Sequence, residues 1–155
     1  MKNIIKAAIT GNITLLQEQI KAGRDVNCKD NSGKTLLMNA VIENRLDIAK
    51  FLIQEGADVN IQDSIGYTAL NYAAQDFSIE MCKLLLENKA MIDTRDENGN
   101  TLLFRAISSS KGRAEVIKLL LSYGADKSLK NKNDVSPMDL ANTIRDFDVR
   151  KFLID

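Results

Sequence analysis

The phrase DNSGKTLLMNA, which begins at Asp30, returns as DSIGYTALNYA from Asp63, as DENGNTLLFRA from Asp96 and more loosely as NKNDVSPMDLA from Asn131. The intervals are 33, 33 and 35 residues. A fixed period in the range of roughly 20 to 50 residues means stacked structural units, none of which can bury its apolar face alone. A single compact core, the ordinary expectation for 155 residues, therefore gives way to thin layers shared between neighbours. Composition agrees: 45% of the residues are hydrophobic but only 5% are aromatic, so burial rests on Leu, Ile, Val, Ala and Met.

Residues 30–62 serve as the unit. Asp30, Asn31, Ser32 and Gly33 have the composition of a tight turn, because glycine tolerates positive φ and Asp or Asn bonds to its own backbone. Thr35 stands where a helix needs a side-chain oxygen to receive its first free N–H groups. Leu36, Leu37, Ala40 and Val41 follow at helical spacing, and Asn44 suits the left-handed residue that ends such a helix. A second helix is predicted from about Leu46 to Glu55, with Ile48, Ala49, Phe51 and Leu52 as its apolar stripe and Gly56 as its stop; GADVNIQD then runs extended into the next turn. In the other copies the cap reads Thr68, Thr101 and Ser136, and the turn glycine reads Gly66 and Gly99 but Asp134 in the last. The helical stripe reads Ile48, Met81 and Val116, then Phe51, Leu84 and Leu119, then Leu52, Leu85 and Leu120. Isolated helices this short are marginal in water, so each must be covered by its neighbours.

The run of turn, Gly, Thr, Leu, two-helix hairpin and GADVN resembles the ankyrin repeat over essentially the whole chain. The family's Thr-Pro-Leu-His box here reads TLLM, TALN, TLLF and SPMD, so its Pro survives only at Pro137 and its His nowhere. The resemblance implies an all-α ankyrin-repeat solenoid of stacked helix-turn-helix units joined by short β-hairpin-like turns. One domain, 1–155, is expected in five units: an N-terminal cap at 1–29, full repeats at 30–62, 63–95 and 96–130, and a C-terminal cap at 131–155. In the first cap Glu18 and Gln19 stand where Phe51 and Leu52 do, the polar outer face an end repeat needs. LANTIRDFDVRKFLID matches NAVIENRLDIAKFLIQ in the last, with Arg150 for Ala49.

Catalysis has little to draw on. With no histidine, the commonest acid/base and metal ligand are both missing. Ser108, Ser109, Ser110 and Lys111 lie in a polar turn where nothing would desolvate the lysine. No GxxxxGK or GxGxxG phosphate cradle and no calcium loop is written, so no enzyme, metal or cofactor is expected. Net charge is zero, which disfavours nucleic acid, and the cluster Lys127, Lys130, Lys132 reads as a solvated edge. No stretch approaches the roughly 18 apolar residues of a membrane span, and the first residues lack a signal-peptide cleavage pattern. Cys28 and Cys82 read as reduced thiols of a cytoplasmic protein, and the sequon at Asn12 as chance.

Binding is the better prospect, because residues that vary between copies are those the stack does not need. Resemblance to ankyrin proteins places them on the turn tips and on the exposed face of each first helix, along a concave groove. The candidate partner-binding residues are Lys34, Met38, Ile65, Tyr67, Tyr72 and Phe77 in the first two full repeats. Glu97, Asn100, Phe104, Arg105, Ser109 and Lys111 continue them in the third. Aromatic and Arg side chains dominate interface energetics. For Met38, Tyr72 and Phe104 a second reading stands, that they fill the space left by the absent Pro and His. The loop 108–113, two residues longer than its counterparts, reads either as a recognition device or as drift in a tolerant turn. The expected partner is another folded protein. The chain resembles small ankyrin proteins that act as immunity partners of bacterial polymorphic toxins, in its five-unit size, its longer penultimate loop and the phrases AEVIKLLLSYGAD and VSPMDLANTI. That resemblance implies a monomer that occludes a toxin domain. The competing expectation is a scaffold or host-directed effector using the same surface.

Overall fold

The computed structural model describes residues 2–109, 114–144 and 149–154. The described residues form nine α-helices and one 3-10 turn, and none of these helices is long and apolar enough to cross a membrane. The chain divides into two compact units, Met1–Ala90 and Met91–Asp155.

In the first unit, α1 (Lys2–Thr10) and α2 (Ile13–Lys21) form the opening hairpin, followed by α3 (Leu36–Ile42) with α4 (Leu46–Gln54) and α5 (Ala69–Gln75) with α6 (Ile79–Glu87). α1 packs on α2 and α3, α3 on α4 and α5, and α5 on α6. The first helix of each pair therefore carries the stacking. In the second unit, α7 (Leu102–Ser109) packs on both α8 (Glu115–Ser122) and α9 (Pro137–Thr143), and α9 packs on the 3-10 turn Val149–Phe152. That 3-10 turn stands where the match to NAVIENRLDIAKFLIQ predicts the last second helix; residues 145–148 lie outside the described residues.

The start of each first helix follows its cap. Thr35 Oγ1 accepts the Met38 N–H at 3.2 Å, and Ser136 Oγ accepts that of Asp139 at 3.1 Å. The side chain three residues on reaches back to the cap: Asn71 Oδ1 accepts the Thr68 N–H at 2.9 Å, Asp139 Oδ2 that of Ser136 at 2.9 Å, and Met38 Sδ that of Thr35 at 3.4 Å. These are capping boxes, made by whatever acceptor each copy holds. Phe104, with no acceptor, supplies only its N–H, at 3.3 Å from Thr101 Oγ1.

Burial within the second helices is narrower than their apolar pattern. Ile48, Ala49 and Leu52 are buried, as are Met81, Cys82 and Leu85, and Val116, Ile117 and Leu120. Phe51, Leu84 and Leu119 are half-buried. At about 100° per residue they lie on the flank of the stripe. A side-chain ladder missed from the sequence joins the loops after these helices: Asn27 Oδ1 accepts the Asp58 N–H at 2.9 Å, and the Asp93 carboxylate that of Asp126 at 3.2 Å.

The tips of successive turns touch within each unit. Ser64 donates to Ser32 O from its N–H (3.3 Å) and its Oγ (2.8 Å), and the Lys132 N–H donates to Asn98 O at 3.1 Å. The upstream tip must present glycine: a Cβ on Gly33 would stand 3.0 Å from Ser64 N, and one on Gly99 would stand 3.1 Å from Lys132 N. Asp134 fills that place in the last tip at φ 61°. Past the second helices, Gly23, Gly56 and Gly124 take positive φ, but in the second full repeat Lys89 does so at 66°. A left-handed non-glycine residue costs about 1–2 kcal/mol. Lys89→Gly is therefore expected to raise stability by about 1 kcal/mol despite glycine's greater unfolded-state freedom, read as a higher urea midpoint at unchanged slope.

Candidate functional site

Each turn opens with a residue that organises both its own loop and one side chain on the helix after it. Asp30 Oδ1 accepts the N–H groups of Ser32 (2.8 Å) and Lys34 (3.0 Å), while Oδ2 takes Asn39 Nδ2 at 3.3 Å. Asp63 accepts the N–H groups of Ile65 and Tyr67, both at 3.0 Å, and the Tyr72 hydroxyl at 2.5 Å. Asp96 accepts those of Asn98 (2.8 Å) and Asn100 (3.0 Å), and the Arg105 guanidinium at 2.7 Å from Nε and 2.5 Å from Nη2. Asn131 closes the last turn through the N–H groups of Asn133 and Val135, and its amide donates to Asn100 Oδ1 at 2.8 Å. The residue nine positions after the aspartate is thus tied back to it each time: Asn39, Tyr72, Arg105.

These ties decide which candidates face outward. In the first unit, Lys34, Tyr67 and Tyr72 come together: the two rings meet edge-on at 5.6 Å, and the Lys34 ammonium lies 5.7 Å from the Tyr72 ring centre. Tyr67 itself is buried, so it supports the cluster more than it presents a surface. Ile65, on the same turn and bonded to the same Asp63, is 41% exposed. Met38 is buried in its capping box. Phe77 is half-buried at the end of α5 with φ 54°, in the left-handed region where a bulky residue is uncommon. In the second unit, Glu97 and Ser109 are exposed, Phe104 and Arg105 half-buried and Asn100 buried. Ser109 Oγ is spent on Arg105 O at 2.8 Å. Lys111 lies outside the described residues, as does most of the loop 108–113.

Electrostatics follow from these bonds. Burial acts to raise the Asp96 carboxyl, but Arg105 and the N–H groups of Asn100 and Asn98 outweigh it and hold the pKa below the usual range. Asp30 is held down in the same way, against its burial, by the N–H groups of Lys34 and Ser32 and by Asn39. Burial, then the Asp63 carboxylate, pushes the Tyr72 hydroxyl up, so it remains a donor. Burial pushes the Cys82 thiol up to about 12, and burial with Asp25 raises Cys28. Neither thiol is an activated nucleophile at neutral pH. No group of three or more His, Cys, Asp or Glu among the described residues could hold a metal ion. The arrangement offers pre-ordered side chains for contact.

Stacked helix pairs, capped by Thr or Ser and linked through Asp-led turns, define a repeat-built binding scaffold. The family model for ankyrin repeats, in three copies, matches residues 4–96 and 55–131, and the chain belongs to that family. Ankyrin repeats are protein-protein binding modules, generally non-catalytic. No curated protein matches the chain significantly.

Proposed function

We propose that this protein acts in the cytoplasm as a monomer that occupies the surface of another folded protein, and most concretely that it is an immunity protein neutralising a toxin domain made by the same cell. The observation that carries the binding reading is Ile65, 41% exposed on a turn whose aspartate also fixes Tyr72 beneath the Lys34 ammonium. An apolar anchor beside an aromatic and a cation already held in place loses little entropy on association. Lys34, Glu97 and the exposed part of Arg105 would select the partner by charge. The toxin reading is supported by the resemblance in AEVIKLLLSYGAD and VSPMDLANTI.

Co-expression with the toxin encoded beside its gene tests this. The wild-type chain should restore viable counts, and Ile65→Asp combined with Lys34→Glu should reduce that protection at least tenfold while leaving the thermal midpoint in place. Full protection by the folded double variant would show that this turn is not the contact surface. Failure of the wild-type chain to protect would end the immunity reading and leave the scaffold or host-directed effector.

A further inference from the structure

A cleft of about 330 Å³ opens at the start of the first unit, lined by Ile5, Lys6 and Ile9 of α1 and by the hairpin from Lys29 to Ser32. We propose that it docks a tight turn of a partner chain, led by aspartate and ending in glycine. Three observations specify that occupant.

The first is a donor. In both tip contacts of the fold, the second residue of the downstream tip gives its N–H to a carbonyl of the upstream tip: Ser64 to Ser32 O, Lys132 to Asn98 O. Asn31 holds the same place in the tip 30–33, is exposed, and its N–H has no acceptor among the described residues. An incoming turn seated in the cleft would supply the carbonyl and continue the tip contact already built twice.

The second is a charge. Asn39, Tyr72 and Arg105 each bind the aspartate nine residues before them. Lys6 occupies the equivalent position of α1, is exposed, and has no such aspartate among the described residues. Asp30 does not neutralise it, because its two oxygens are committed to Ser32, Lys34 and Asn39. An aspartate leading the incoming turn would meet Lys6 as Asp96 meets Arg105.

The third is a steric requirement. Upstream tips present glycine because a Cβ there would lie 3.0–3.1 Å from the next backbone. The chain's own last tip carries Asp134 at this place, so a second copy cannot seat it in the cleft without that clash. The occupant is therefore a glycine-bearing turn of a different protein. Ile5 and Ile9, both half-buried, floor the site.

The test uses a head-to-tail cyclised peptide containing Asp-Glu-Asn-Gly-Asn, the sequence of residues 96–100, titrated into the isotope-labelled full-length protein. Saturable shifts are expected at the Asn31 amide and the Ile5 and Ile9 methyls. Asn31→Pro removes the donor at the second turn position, where proline is favoured. It should weaken binding at least tenfold, as should Lys6→Glu on the exposed face of α1 and replacement of the peptide's Asp by Ala. Binding unchanged in the folded Lys6→Glu variant, or shifts centred elsewhere, would overturn the proposal. So would concentration-dependent self-association of the protein alone that Asn31→Pro abolishes, since a second copy would then fill the cleft. Toxin protection does not enter this measurement, so either reading can fail without the other.

Discussion

Asp96→Ala is expected to destabilise the second unit by about 2–4 kcal/mol, the scale of leaving buried donors and a paired charge without their acceptor. The carboxylate is 1% exposed, closes its own turn through two backbone N–H groups, and carries the Arg105 guanidinium. The lower part of that range allows for Arg105, whose side chain is 35% exposed and can recover water. Asn131 provides the internal comparison: a neutral amide at the same place closes the last turn through the same pair of N–H bonds. Asp96→Asn should accordingly keep the turn and lose mainly the ion pair, at about 1 kcal/mol. Urea unfolding of the three proteins checks the order. If alanine and asparagine cost the same, the turn bonds contribute nothing.

The same carboxylates set the acid limit. Asp96 and Asp30 have folded-state pKa values below the ordinary carboxyl value of about 3.9, so the unfolded chain takes up protons first. Their stabilisation is present above about pH 4 and is lost as pH falls through the lowered values. The urea midpoint should therefore drop steeply below pH 4. Asp96→Asn should show a shallower fall, because its largest acid-sensitive group is gone.

Leu85→Ala is expected to cost about 2–5 kcal/mol, the usual range for emptying a buried leucine site. Leu85 is 0% exposed and shares its register with Leu52 and Leu120, also at 0%. A repeat borrows stability from its neighbours, so the loss should spread through the first unit and not stop at α6. Leu84→Ala, on the half-buried flank of the same helix, should cost about 1 kcal/mol, since less apolar area leaves water there. Denaturant unfolding separates them. Equal losses would mean that the stripe is as wide as the sequence pattern, and that its Phe51, Leu84 and Leu119 column is core after all.

Repetition made the architecture legible, because a position that must be Thr or Ser, or must be glycine, shows itself by returning. Thr35, Thr68 and Ser136 cap as the phrase predicts, and Asn44 and Gly33 take the positive φ expected of them. Asp134 and Lys89 also take positive φ although their chemistry argues against it, because the stack around them imposes the turn. The candidate surface was less readable. Tyr67, one residue from a turn glycine, would ordinarily be exposed, yet the edge contact with Tyr72 and its own cap neighbourhood bury it. Asn100 has the look of a tip residue and is buried between Asp96 and Asn131. The signal for the aspartate ties was present, an acid opening three of the four phrases, but the pairing at nine residues' separation belongs to no local period.

The amino-acid order alone determined the repeat length, the helix starts and the family, since these depend on local backbone preference and on apolar spacing summed over short windows. Which large side chains meet a partner and which hold the stack was decided only in three dimensions. A tyrosine or an arginine serves either purpose, and the distance to one carboxylate on the preceding turn selects between them.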